Sequence, residues 1–209
     1  MNINPSELDK DYLLLDTLNH KELIPFVRKY QKWKYPSTKQ YVICNLIFLT
    51  LIIIASVIYS NDPTFKFERG FSYLSYGLLA SLLLVPLHEL IHAWAYKIKG
   101  APVTSYDSNL KKFYFMAMAD QFVASRSEFR FVALAPFVLI TLFGIIALIF
   151  IPIYWKFMCT GILLAHTSFC AGDFALLSYF DEHNDKEVVT YDSKEQGMSY
   201  FYYKATDVD

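Results

Sequence analysis

Four apolar blocks govern what this chain can fold into: residues 41–59, 71–96, 131–154 and 157–180. Each is long enough to cross a bilayer as a helix, which takes about 20 residues. The expected fold is therefore all-α: an integral membrane protein of four transmembrane helices. Composition agrees, since 55% of the residues are hydrophobic and only 19% charged, against about a quarter charged in soluble domains. Asn61-Asp62-Pro63 breaks the first hairpin, and Ile151-Pro152 with Trp155-Lys156 marks a very short connection between the third and fourth spans.

The polar remainder divides around that membrane domain at 41–180. Residues 1–40 are rich in Lys and Tyr and are expected to form one or two short helices on the membrane surface. Trp33 and Tyr35, beside Lys32 and Lys34, make the mixture that anchors at a bilayer interface. Met1 to Lys10 lacks the basic-then-apolar pattern of a signal peptide, so insertion is expected at the first span. Residues 181–209 read as a polar tail. In the 97–130 connection, Lys111 to Met118 has the content of a strand. With Gln121-Phe122-Val123-Ala124 it is expected to make a small cytoplasmic β-hairpin, and Ser127 before Glu128 looks like the cap of the third helix.

Charge sets the orientation. The N-terminal segment carries Lys10, Lys21, Arg28, Lys29, Lys32, Lys34 and Lys39; the 97–130 loop carries Lys97, Lys99, Lys111, Lys112, Arg126 and Arg130; the tail carries Lys186, Lys194 and Lys204. The other side has only Lys66, Arg69 and Lys156. By the positive-inside rule both termini and the 97–130 loop face the cytoplasm of a multi-pass protein in the cell membrane.

The second span holds the chemistry. His88-Glu89-Leu90-Ile91-His92 is an HExxH motif, which on a helix puts two imidazoles one turn apart on one face, where both can bind one Zn²⁺. Glu89 follows the first histidine and can take a proton from a metal-activated water. With 5 His in 209 residues, random order produces roughly 0.005 such motifs per chain. Membrane context sharpens the signal: apart from Glu89 and Asp173 the four spans contain no Asp, Glu, Lys or Arg, and ionisable residues at that depth mark function by default. The bland alternative is an interfacial histidine pair with Glu89 at a helix end.

Catalytic zinc takes three protein ligands, and Asp173 in the fourth span is the candidate third. Gly70 to His88 and Lys156 to Asp173 are nearly equal runs, so both residues lie roughly 26 Å below the outer surface in straight helices. His166, Cys170 and Asp173 share one helix face at i, i+4 and i+7. Cys170 suits packing, as do Cys44 in the first block and Cys159 in the fourth. In a straight helix His166 lies roughly 10 Å outward from Asp173, too far for the same ion. Its roles are then a hydrogen bond to a substrate carbonyl or oxyanion, or an interhelical hydrogen bond.

These residues carry a resemblance. The HExxH at the cytoplasmic end of one span, with Gly172-Asp173 in the last, resembles a family of zincin peptidases, small bacterial membrane proteins similar in layout to the site-2 proteases. The resemblance covers about residues 35 to 185. Better-known site-2 proteases place the ligand Asp in an Asn-Pro-rich, Asp-Gly segment; here it sits in Cys170-Ala171-Gly172-Asp173-Phe174. The resemblance implies an intramembrane zinc metalloprotease in which two His and an Asp hold the metal, here His88, His92 and Asp173; the residues themselves offer Glu89 as general base and His166 as a candidate catalytic residue. Expected partners are a membrane protein or peptide substrate and the bilayer, with no nucleic acid. The alternative is a non-catalytic membrane adaptor that retains a metal site.

Overall fold

The computed structural model describes residues 3–109 and 114–205. In chain order its elements are β1 (Tyr12–Asn19), α1 (Leu23–Tyr30), α2 (Pro36–Tyr59), α3 (Phe67–Ala80), α4 (Val85–Ile98), β2 (Ser105–Asn109), β3 (Tyr114–Met118), β4 (Ala124–Ser125), α5 (Arg126–Phe150), α6 (Ile153–Phe169), α7 (Ala171–Glu182), β5 (Val188–Ser193) and β6 (Met198–Lys204). Three helical stretches, Pro36–Tyr59, Phe67–Ile98 and Arg126–Phe150, are long and apolar enough to cross a membrane; α6 and α7, bent by 43°, make a fourth if the pair is one span. The most apolar window of α2 is only 6% buried. A helix apolar on every side and uncovered by protein belongs in lipid.

The chain divides into two compact units. One comprises Met1–Thr38, Glu89–Pro136 and Gly172–Asp209. Its centre is an antiparallel sheet in the order β1-β6-β5-β4, with Tyr12 opposite Lys204 and Asn19 opposite Met198, and a bulge between Leu14 and Asp16. The β5–β6 hairpin closes through Gly197, whose φ of +63° suits a residue without a Cβ. Tyr179 of α7 anchors the unit: its ring lies 4.4 Å from Phe201 of β6, 5.1 Å from Tyr30 and 5.8 Å from Phe26 of α1. Asp181 of α7 accepts from the backbone N–H of Ser37 at 2.8 Å. This aromatic packing holds α7, and with it Asp173.

The other unit is Lys39–His88 with Phe137–Ala171. Here α3 and α6 meet backbone to backbone. A Cβ at Gly77 would overlap the carbonyl of Met158, and one at Gly161 would come within 2.5 Å of the Leu74 carbonyl oxygen. Small residues that let membrane helices approach this closely replace a hydrophobic drive that lipid does not supply. Asn45 of α2 adds a polar tie, accepting at Oδ1 from Thr167 at 3.1 Å and Ser168 at 2.8 Å.

Several expectations change. The fold is mostly helical but not all-α, because both polar flanks contribute strands to one sheet. Tyr12–Asn19 is a strand where surface helix was expected, and the tail is a hairpin. The strand expected over Lys111 to Met118 appears from Tyr114; Lys111, Lys112 and Phe113 lie outside the described residues. That strand pairs with Ser105–Asn109, not with Gln121–Ala124, and Ala124–Ser125 joins β5 instead. The cap of α5 is Ser125, not Ser127. Glu128 accepts from the Ser125 backbone N–H at 2.8 Å, and Ser125 Oγ faces the Glu128 N–H at 3.4 Å, a reciprocal capping box. Finally, the second block is not one straight helix. A 3₁₀ turn at Ser81–Leu84 separates α3 from α4, just before Pro86, which has no N–H for the preceding turn.

Candidate metal centre

The HExxH motif lies wholly on α4, so His88 and His92 are one turn apart on one face. In the unit that contains it, His92 is buried, only 7% exposed. Its Nδ1 stands 3.0 Å from the carbonyl oxygen of Val132. A carbonyl only accepts, so Nδ1 carries the proton and the Nε2 lone pair points the other way. That Nε2 is 3.2 Å from Oδ1 of Asp173, on the first turn of α7. The sequence placed Asp173 level with the motif, and the fold delivers it to the second histidine.

This pair passes a chemical test for a metal. A neutral imidazole with its proton on Nδ1 presents an acceptor at Nε2, and a carboxylate oxygen is an acceptor too. Two acceptors 3.2 Å apart call for a positive charge between them, a proton or a cation. Zinc bonded at about 2.0–2.1 Å to each ligand in a tetrahedron sets them about 3.3 Å apart. The Val132 carbonyl then plays the part that such backbone groups play for zinc-binding histidines, fixing tautomer and ring orientation.

Glu89 is also placed. Its Oε2 accepts from the backbone N–H of Ala117 on β3 at 2.6 Å, so the hairpin carries a main-chain donor to the carboxylate. Neither the Ala117 N–H nor the Val132 carbonyl was legible in the sequence, because every residue type has those groups.

In the other unit His88 meets His166. Nδ1 of His88 is 3.2 Å from Nε2 of His166, with the rings edge to face and their centroids 5.3 Å apart. The thiol of Cys170 donates to the His166 carbonyl at 3.3 Å. Ligand atoms of His88, His166 and Cys170 all lie within 4.8 Å of one another. Counting along a straight helix put His166 too far from Asp173 to share its ion and left an interhelical hydrogen bond as one of its roles. The fourth block breaks at Cys170, and the second at Ser81–Leu84, so straight-helix depths do not apply.

Residues 81–186, just over half of the chain, match the family described as "Putative zincin peptidase". The match runs from the turn before α4 to beyond the end of α7 and takes in His88, Glu89, His92, His166 and Asp173. No curated protein and no solved structure matches the chain.

Proposed function

Starting from a chain that belongs to the zincin peptidase family so described, we propose an intramembrane zinc metalloprotease that cuts membrane-associated proteins or peptides near the cytoplasmic face. Four crossings with both ends cytoplasmic complete the reading, on the strength of the Lys and Arg distribution. The single observation that carries the chemistry is the His92 Nε2 facing the Asp173 carboxylate at 3.2 Å, with Nδ1 committed to Val132. His88, one turn earlier on α4, supplies the remaining ligand of a His, His, Asp set.

A zinc ion held by His88, His92 and Asp173 would supply Lewis-acid activation of the scissile carbonyl and of a water. The chain's own groups do the rest. Glu89 takes the proton of the attacking water and passes it to the leaving amine. His166 is assigned to the substrate carbonyl. A transmembrane substrate helix hides its carbonyls in hydrogen bonds, so it must open before it is cut. Strand β3 suits an opened segment, since edge addition uses main-chain donors and Ala117 already directs one at Glu89.

The rival reading is an adaptor that keeps the metal without turnover, and Glu89 separates the two. Glu89→Gln should retain zinc and lose about 10²–10⁴-fold in peptide cleavage by protein in detergent or vesicles. Wild-type protein that holds zinc but cleaves no faster than Glu89→Gln would establish the adaptor.

A further inference from the structure

We propose a second metal position in the membrane, formed by His88, His166 and Cys170, in which a thiolate replaces the carboxylate. This rests on the peptidase reading only in sharing His88 with it. The nitrogens of His88 and His166 are 3.2 Å apart, the separation of two ligands on one tetrahedral zinc, about 3.3 Å. A hydrogen bond between the imidazoles accounts for that distance equally well. A buried thiol completes the set: Cys170 is 0% exposed and His166 2% exposed, and all three ligand atoms fall within 4.8 Å of one another. Zinc with Zn–S about 2.3 Å and Zn–N about 2.0–2.1 Å needs N···S separations of about 3.6 Å, within that limit. Two imidazoles and one thiolate are a zinc donor set.

The placement has a local cause. Cys170 caps α6 at the break before α7, with its N–H bonded to the carbonyls of His166 and Ser168. His166 and Cys170 are one turn apart, so they share a face, and that face holds the ring of His88. Metal binding there displaces the thiol proton, which leaves to solvent, as thiolate ligation requires.

A neutral imidazole has one lone pair to give. His88 therefore serves one ion at a time, and a metal on the thiolate side leaves the peptidase set one ligand short. The position is a holding site that silences the enzyme.

Cobalt tests this, because a thiolate bound to Co²⁺ produces a charge-transfer absorption that nitrogen and oxygen ligands do not. The full-length protein, purified in detergent, is stripped of metal and loaded with Co²⁺ alone. The wild type should show the band. Cys170→Ser and His166→Ala should each lose it completely while still holding about one Co²⁺ per chain on His88, His92 and Asp173. His92→Ala should keep both the ion and the band. A wild-type spectrum without the band overturns the proposal and needs no variant; so does a band that survives Cys170→Ser. Failure of the peptidase set reads differently: Cys170→Ser then retains no cobalt at all.

Discussion

His92 and Asp173 are joined at 3.2 Å through the one imidazole nitrogen that the Val132 carbonyl leaves with a lone pair. Removing either partner should open the proposed peptidase set. The clean background is Cys170→Ser, where the thiolate position is gone. There, adding His92→Ala or Asp173→Ala should reduce zinc from about one per chain to none, because two ligands do not make a tight site. Elemental analysis of dialysed protein measures this. Zinc that survives both double substitutions would put the metal elsewhere.

Close approach of α3 and α6 gives a stability prediction. Gly77→Ala places a methyl against the Met158 backbone, which cannot step aside as a side chain does. The expected cost is about 1–3 kcal/mol, seen as a lower midpoint of thermal unfolding in detergent. Gly172→Ala is the control: its Cβ would meet nothing within 4 Å, and in a helix alanine is favoured over glycine. Equal losses at both positions would contradict the packing described.

His20, outside the membrane spans and 4% exposed, gives a pH dependence. Its Nε2 lies 3.1 Å from Ser199 Oγ, which donates to Asp192 Oδ1 at 2.6 Å. Burial pushes His20 below its usual 6.5, against the pull of Asp192 and Asp107. The unfolded chain therefore takes up this proton first. Stability from His20 is full above pH 6.5 and is lost as pH falls through the window below it. Burial pushes Asp192 above 3.8, with the opposite sign, so the measurement belongs in an Asp192→Asn background. Histidine ring NMR should place the His20 midpoint below 6.5; a midpoint above it would refute this.

Topology is tested by cysteine labelling. A thiol at Glu195, in the β5–β6 turn, should react from the cytoplasmic side, and one at Asp62, between α2 and α3, only from outside. Labelling of both from one side would end the four-span reading.

What the sequence revealed, and what it hid, has a physical pattern. Apolar length shows which segments suit lipid, and the α2, α4 and α5 regions were legible for that reason. HExxH was legible because it is chemistry written in side chains at helical spacing. The β-sheet was not: β1 pairs with β6 across most of the chain's length, so no local pattern announces the partner. The breaks before α4 and at Cys170 were invisible to a depth count that assumes a constant rise per residue. For His166 a contact with a substrate carbonyl and an interhelical hydrogen bond were both expected roles, and its Nε2 lies 3.2 Å from Nδ1 of His88.

The sheet also constrains the path of the chain. β1 near the start is hydrogen-bonded to β6 near the end, and β4, from between α4 and α5, is bonded to β5. Strands that share a ladder occupy one side of a bilayer. The chain must then cross an even number of times between β1 and β4, and again between β4 and β5. The first interval contains α2 and the α3–α4 stretch; the second contains α5 and the bent pair. The proposed four crossings satisfy that parity, with the bent α6–α7 pair as the fourth passage beside the three helical stretches that are long enough on their own.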